Sequence, residues 1–480
     1  MLSNRHPFQE RSEQRGASKA SVRLPWTPPM LRSQTSAETM NPIQRHGYVL
    51  LVLYFIVVFG RLPELLAQWA GVRLPVAAGL LGALLVVALL SGNILLPFKT
   101  IPGRFLIAFH VWMVLAAPFS FWKMGTLQTL TIIARFFAIF VCSTILLVTI
   151  KQCRSAMYGI ASSVFVIMAG VLVSGTPGEN RFTIGRGSLG NPNELAAILL
   201  MILPFWFFIA GRGRFPVLTR ILSAGAVSAS VLIVLRTGSR GGLVTGAGLV
   251  LVMFWTYSLS GKLKMLAALP FLVAAVVLLT PSSSMERYRT ILEESITPSL
   301  ADVAALSSTE ARKYLVKQSW RLTLEHPVFG VGTGVYAAAA ADEAEGEGRR
   351  TGWQVAHNAY LQVSAETGIP GLILYLATLI SLIAGLVKVR RQSRKRPEAK
   401  EVSDMARTLL LAFAAFCIYG LFSSVQTEFY FYVLAGLAVS FTRLARANWG
   451  MQDAAATGEA VGRHAPSGPL AAPPRTFVAG

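Results

Sequence analysis

Charged residues are scarce in this chain, and their scarcity decides its class. Only 14% of the 480 residues are charged, and 53% are hydrophobic. Soluble domains carry about 25% charged residues. The composition therefore excludes an ordinary soluble domain and predicts a polytopic membrane protein.

Cysteine is also scarce, and its placement argues against two kinds of site. The three cysteines, Cys142, Cys153 and Cys417, are scattered along the chain and form no CxxC pair and no Cys/His cluster. Neither a disulfide framework nor a zinc site is indicated. We expect neither a metal nor another cofactor.

The net charge of +21 would suit a nucleic-acid-binding protein, but the distribution of the basic residues argues against that class. Lys and Arg cluster in short loops between apolar runs, as residues that determine membrane topology do. No basic stretch is interleaved with aromatic residues. We therefore expect membrane lipids as partners, and no nucleic acid.

Apolar runs long enough for membrane helices dominate the sequence, since a bilayer core needs about 20 residues per helix. The twelve predicted spans are 48–66, 74–92, 104–122, 126–150, 155–175, 195–211, 220–236, 241–260, 263–281, 369–389, 406–426 and 429–446. A cytoplasmic N-terminus places the short basic loops inside. The sequence thus predicts an all-α polytopic membrane protein with about twelve transmembrane helices and both termini in the cytoplasm.

The remaining segments are two tails and one long loop. The predicted organisation is a disordered cytoplasmic tail over 1–46, nine transmembrane helices over 47–281, a large outer loop over 282–368, three transmembrane helices over 369–446 and a disordered cytoplasmic tail over 447–480. The composition of both tails is typical of solvated segments. Met40 is an alternative start of the chain.

The outer loop is too long to be a simple connector, so we expect it to carry its own structure. Ser307 and Glu310 match a capping box, which predicts a helix start. Pro327 predicts the end of that helix. A second short helix is expected over 285–296.

The predicted topology brings four unusual segments to the outer face. The first is "RFTIGRGSLGNPNELA", residues 181–196. Asn193 and Glu194 suit the first turn of the sixth span. An ordinary capped loop would explain them. Such a loop would not explain Arg181 and Arg186, because short outer loops are usually poor in arginine.

The second segment is "RTGSRGGL", residues 236–243, between the seventh and eighth spans. Arg236 and Arg240 flank Ser239, glycines allow close backbone approach, and a helix N-terminus follows. Exposed amides, a positive dipole end and two guanidinium groups would suit a phosphate group. The alternative is a pair of arginines that extend their charges to the membrane surface.

The third and fourth segments are "HPVFGVGTGVY" and "HNAYLQVSAETGIPGL". The first is glycine-rich but lacks the lysine and the preceding strand of a nucleotide-binding loop. In the second, Asn358, Gln362 and Glu366 form a polar stripe behind His357. A lone histidine is more often structural than catalytic. Asn358 is either a ligand for a substrate or a cap for the following helix.

The interiors of the predicted spans contain almost no ionisable group besides Arg135, since the other charged residues lie near span ends. Ion-coupled transporters usually place acidic or basic relays near the middle of the membrane. The polar chemistry lies above the membrane instead, which suits a reaction on a lipid-attached substrate. A small-solute transporter stays open as a function of another class.

The order and spacing of these motifs resemble the O-antigen ligase and O-antigen polymerase family. The matching motifs are Arg181 with Asn191-Pro192-Asn193, Ser239-Arg240-Gly241-Gly242, Glu310-Ala311-Arg312, His326-Pro327 with Gly330, and His357-Asn358 with Gly368 and Gly371. The HN-x9-G-x-x-G form looks more like a ligase than a polymerase. Together the motifs cover about residues 180–390.

The resemblance implies a GT-C-like, metal-independent and inverting glycosyltransferase of the bacterial inner membrane, with its site in the periplasm. The donor would be a glycan on undecaprenyl diphosphate. The acceptor would be lipid A–core for a ligase, or a further glycan for a polymerase. His357 would be the catalytic base. The diphosphate-binding residues would be Arg181, Arg236, Arg240 and Arg312, supported by Asn193, Ser239, Asn358 and Arg186.

Overall fold

The computed structural model describes residues 42–71, 75–177, 182–184, 191–211, 215–280, 282–289, 300–346, 348 and 353–463. The helices are α1 (Pro42–Phe59), α2 (Leu62–Trp69), α3 (Val76–Leu90), α4 (Ile101–Ala116), α5 (Lys123–Leu146), α6 (Ile150–Ser174), α7 (Pro192–Ala210), α8 (Val217–Arg236), α9 (Arg240–Thr256), α10 (Leu259–Leu279), α11 (Ser282–Arg289), α12 (Leu300–Glu325), α13 (Tyr336–Gly346), α14 (Ala359–Ser393), α15 (Lys400–Tyr419) and α16 (Phe429–Arg463). Short 3₁₀ turns occupy Pro97–Lys99, Ala117–Phe119 and Pro397–Ala399.

A helix lies over each of the twelve predicted spans, which supports the polytopic helical architecture. Within the described residues, eight helices are long and apolar enough to cross a membrane: α1, α4 with its 3₁₀ turn, α5, α6, α7, α8, α14 and α15. Helices α3 and α9 are apolar but shorter. The total of twelve spans stays a prediction.

Helices α7 and α16 form the centre of the bundle. α7 is apolar around its whole circumference, as a helix packed on all sides must be, and its run from Leu195 to Phe205 is almost fully buried. The first half of α16, from Phe429 to Phe441, is buried in the same way. Helices α8 and α15 pack on α7, whereas α5 packs on α16.

Several element ends differ from the sequence predictions. α14 begins at Ala359, inside the predicted outer loop. α12 begins at Leu300, so Ser307 does not cap it and the predicted capping box was wrong. α16 continues to Arg463, where the sequence predicted a tail from residue 447. A two-stranded antiparallel hairpin, β1 (Gly175–Pro177) and β2 (Phe182–Ile184), was not predicted.

A kink divides α14 near its start. Gly368 has φ 70° and ψ −176°, which interrupts the helix, and Pro370 has no backbone N–H to donate. The preceding carbonyls, including that of Glu366, therefore lose their intrahelical donors. Buried carbonyls in this position need other partners.

The segment 326–334, which we call the clamp loop, supplies those partners. The backbone N–H of Val331 donates to the Ala365 carbonyl at 2.8 Å, and that of Gly332 donates to the Glu366 carbonyl at 3.0 Å. The N–H of Gly334 donates to the Glu366 carboxylate at 2.9 Å. The "HPVFGVGTG" glycines therefore join the loop helices to the membrane helices.

Candidate active site

His357 lies in a strained turn immediately before α14. Its φ is 52°, in the left-handed region that residues other than glycine seldom adopt. Such a conformation costs about 1–3 kcal/mol and persists only where the surrounding structure enforces it. The hydrogen bonds of the next two residues hold His357 in this conformation. Backbone strain of this kind is typical of functional sites.

Asn358 and Ala359 fix the turn against the end of α15. Asn358 caps α14, because its Oδ1 accepts from the N–H groups of Tyr360 and Leu361, each at 3.0 Å. Its Nδ2 donates to the Leu421 carbonyl at 3.3 Å. The N–H of Ala359 donates to the Gly420 carbonyl at 2.7 Å. Of the two roles predicted for Asn358, the structure shows the cap.

The surroundings of His357 favour a neutral imidazole. The side chain is half-buried. Burial lowers the pKa of His357 below its usual value, and the nearby Arg312 guanidinium lowers this pKa further. A neutral imidazole at physiological pH can accept a proton, which is the property that a general base needs.

The segment 236–242, which we call the arginine loop, runs from the last residue of α8 into the first turn of α9. Ser239 caps this helix by accepting from the Gly242 N–H at 3.1 Å. Arg240 is the first residue of α9 and is half-buried. Arg236 is exposed in the last turn of α8. The arginine loop thus presents a helix N-terminus beside a partly buried guanidinium.

The start of α7 is joined to the arginine loop by side chains. The cap of α7 is Asn191 rather than Asn193, although Asn193 and Glu194 do lie in the first turn of the helix, as predicted. The side chain of Asn193 instead accepts from Ser239 Oγ at 2.8 Å. The Asn193 carbonyl accepts from the Tyr419 hydroxyl. These contacts hold the N-termini of α7 and α9 together.

Three helix N-termini therefore meet the C-terminal turn of α15. Those of α7 and α14 bond to this turn through Asn193 and Asn358, and Gly241 of α9 lies against Phe422. Arg312 of α12 interacts electrostatically with both His357 and Tyr419. Helix N-termini and guanidinium groups both favour anions. The arrangement can bind a phosphate-like group near a neutral base.

Most of the predicted site residues come together at this point. The assembled set is Asn193, Ser239, Arg240, Arg312, His357 and Asn358. Arg236 lies close to the set along the chain. Arg181 and Arg186 lie outside the described residues.

Two further residues at the site were not predicted. Tyr419 resembles any aromatic residue at the end of an apolar run, so the sequence held no sign of its role. Arg61 pairs with Glu64 at 3.1 Å and with Glu194 at 3.8 Å, and thereby ties the turn after α1 to the start of α7. The interruption of the first apolar run at Gly60 and Pro63 is the sequence feature that could have marked it.

In the part of the chain that the structure describes, no group of three or more His, Cys, Asp or Glu side chains could hold a metal ion. Metal independence itself stays a prediction.

Comparison with known proteins gives a family match over part of the chain. No curated protein gives a significant match. Residues 224–376, less than half of the chain, match a family model described as O-Antigen ligase. This range contains the arginine loop, Arg312, the clamp loop and His357, but not Asn193. Over this region the chain is therefore similar to the O-antigen ligase family of proteins.

Proposed function

We propose that the protein transfers a glycan from undecaprenyl diphosphate to a sugar hydroxyl of lipid A–core, as an O-antigen ligase does. The family match supports a membrane glycosyltransferase of the ligase or polymerase type. The observation that carries the finer proposal is the strained, half-buried His357 beside Arg312. The left-handed backbone of His357 is strained for a residue other than glycine, and backbone strain of this kind clusters at active sites.

His357 acts as the general base. Its neutral imidazole takes the proton of the acceptor hydroxyl while the acceptor oxygen bonds to the anomeric carbon of the donor sugar. The bond between that carbon and the diphosphate oxygen breaks, and undecaprenyl diphosphate leaves with the electron pair. Attack from the face opposite the diphosphate inverts the anomeric centre.

The leaving diphosphate needs positive charge, because negative charge grows on it as the bond breaks. Arg240 at the N-terminus of α9 and Arg312 on α12 supply that charge, together with the helix N-termini. Arg236, Arg181 and Arg186 complete the set in this proposal. No step of this scheme requires a metal ion.

The membrane helices hold the polyprenyl chain of the donor. Many apolar side chains of α4, α8 and α14, such as Val111, Ile221 and Ile373, are exposed along the outside of the bundle. A long isoprenoid can lie on such a surface while its diphosphate reaches the helix ends. We place the protein in the bacterial inner membrane, with both termini cytoplasmic and the site facing the periplasm.

Replacement of His357 in a deletion strain tests the proposal. The strain should accumulate lipid-linked glycan, and the unchanged gene should restore transfer. His357→Ala and His357→Gly should both fail to restore it, with transfer reduced about 10²- to 10⁴-fold because general bases contribute that much. Lipid-linked glycan and lipid A–core that carries the glycan are measured in the same extracts, with the level of the protein as the control.

The glycine variant separates a catalytic role from a structural one. Glycine adopts φ 52° without strain, so purified His357→Gly should melt no lower than the unchanged protein. Transfer by either variant at a near-normal rate would overturn the role of His357. A solute-uptake defect with normal surface glycan would favour a transporter instead.

The acceptor decides between the two activities of the family. In the deletion strain, a ligase defect leaves the lipid core without any chains, whereas a polymerase defect leaves core with one repeat unit. Gel separation of the surface polysaccharide distinguishes these patterns. Core carrying a single repeat unit would contradict the ligase assignment and favour the polymerase.

A further inference from the structure

Helix α12 carries a row of exposed apolar side chains that packing within the chain does not use. Val316, Trp320 and Leu324 are 43%, 56% and 59% exposed, and Val328 in the following turn is 50% exposed. These residues fall at every fourth position, so those in the helix share one face. We call them the apolar stripe.

The stripe is not the face by which α12 packs on the rest of the protein. Leu315, Ser319, Leu322 and Thr323 are buried. The hydroxyl groups of Thr323 and Ser364 bond at 2.9 Å, which joins the buried face to α14. The apolar stripe therefore points away from this contact.

Basic residues flank the apolar stripe. Lys313 and Lys317 are exposed, and each lies three positions before a stripe residue. Arg321 continues the basic row and pairs with Glu325 at 2.9 Å and with Glu343 at 2.7 Å. An apolar face beside exposed lysines is typical of helices that lie in a membrane interface.

The stripe ends where the membrane helices begin. The Val328 carbonyl packs against the kink of α14, since a Cβ on Gly368 would lie 2.1 Å from its oxygen. Ile369 and Ile373, which follow on α14, are exposed apolar residues of a helix suited to cross a membrane. The exposed apolar surface of α14 thus continues through Val328 into the stripe.

Aromatic stacking fixes this end of the stripe at the end of α4. Phe329 stacks on Phe119, with ring centroids 4.2 Å apart, and on Trp112, with centroids 5.4 Å apart. The Trp112 indole also donates to the Thr367 carbonyl at 2.8 Å. The C-terminal end of α12 is therefore held at the level where two membrane helices end.

We propose that α12 docks on the membrane surface, with the apolar stripe in the interface and Lys313 and Lys317 on anionic phospholipid headgroups. Continuity with the exposed side of α14 favours lipid as the occupant over a second protein copy. The lysines favour anionic lipid, because positive side chains are attracted to the negative potential of such a surface. Docking would also fix the height of Arg312, which lies on the same helix.

Spin labels on the full-length protein test this proposal. Leu324→Cys and Val316→Cys carry the label in two separate variants, and Glu345→Cys on α13 is the matched exposed control. All are made in a Cys417→Ser background, because Cys142 and Cys153 are buried. Collision of the label with oxygen and with a water-soluble nickel chelate is measured in vesicles with and without phosphatidylglycerol.

Both stripe labels should collide more with oxygen than with the chelate, whereas the control label should show the opposite. Phosphatidylglycerol should increase this difference, and Lys313→Gln with Lys317→Gln should remove the increase. Control-like accessibility at both stripe positions would overturn the proposal. Spin–spin broadening that disappears on dilution with unlabelled protein would also overturn it, because a second copy would then cover the stripe.

Discussion

The clamp loop and the arginine loop look alike in sequence but use their glycines differently. Both are short, glycine-rich and next to a helix. In the clamp loop, a Cβ on Gly330 would lie 2.3 Å from the Glu366 backbone. In the arginine loop, a Cβ on Gly241 or Gly242 would meet side-chain atoms, at 2.9 and 3.0 Å.

The difference teaches what a glycine-rich loop can mean. Glycine in the clamp loop lets the loop backbone lie directly against the backbone of α14. The N–H and carbonyl groups of the loop can therefore bond to the backbone groups that the kink of α14 leaves without partners. Glycine in the arginine loop lets the start of α9 pack closely on Ala196 of α7 and on Phe422, so that its N-terminus and Arg240 lie beside other helix ends. Composition alone cannot separate these cases, because the separation depends on what occupies the missing Cβ position.

The largest expected effect is on the clamp loop. Gly330→Ala should destabilise the protein by about 2–5 kcal/mol, from the left-handed backbone and from overpacking together. That is a large part of a typical folding free energy of about 5–15 kcal/mol. Thermal melting of detergent-purified protein and the yield of folded protein measure the loss.

A matched glycine isolates the packing contribution. Gly348 has φ 72° and no atom within 4 Å of an added Cβ. Gly348→Ala therefore carries the backbone strain alone and should lower the melting temperature only slightly. Equal losses for Gly330→Ala and Gly348→Ala would contradict the role given to the clamp loop.

In the arginine loop we expect the opposite result, a loss of activity without a loss of stability. Arg240→Ala should leave the melting temperature nearly unchanged and reduce glycan transfer about 10- to 100-fold, because a hydrogen bond to a charged group is worth about 1.5–3 kcal/mol. Arg240→Lys should recover only part of the rate, since lysine cannot make a bidentate contact. Transfer by the lysine variant at the full rate would contradict such a contact.

A smaller effect on activity is expected at Tyr419, which contacts the arginine loop only through Asn193. Tyr419→Phe removes the donor to the Asn193 carbonyl and should reduce kcat several-fold with little change in KM. Tyr430→Phe is the control, because the buried Tyr430 hydroxyl has no hydrogen-bond partner among the described residues. Equal kcat values for the two variants would contradict a role of Tyr419 in the active site.

Much of the helical architecture could be predicted because apolar runs and basic loops carry membrane topology directly. A helix lies over every predicted span, and the family motifs anticipated the cluster at His357. A helix after Asn358 was predicted, but its membrane span was placed only from residue 369, because polar Gln362 and Glu366 precede that residue. In the structure these two residues are buried, and Gln362 donates to the Glu366 carboxylate at 2.8 Å.

The roles within the site were harder to predict than its membership. Asn191, rather than Asn193, caps α7, although both asparagines suit a cap by residue type. Pro192 at the first position of α7 favours Asn191 as the cap. The Asn193 side chain then binds Ser239 from another helix. Contacts between distant segments of this kind leave no local pattern, and the same holds for Tyr419.

The smallest expected effect is a shift of a pH profile, and it connects the site to α12. Arg312 lowers the pKa of His357, so Arg312→Gln should raise that pKa. The neutral imidazole would then be lost at a higher pH, and the acid limb of kcat/KM would move upward in pH. Arg321→Gln removes the same charge from an exposed position of α12 and should leave the limb unmoved. If the acid limb of Arg312→Gln stayed at the same pH, Arg312 would not influence the pKa of His357. Lower activity alone would not show whether the charge of Arg312 or its packing was responsible.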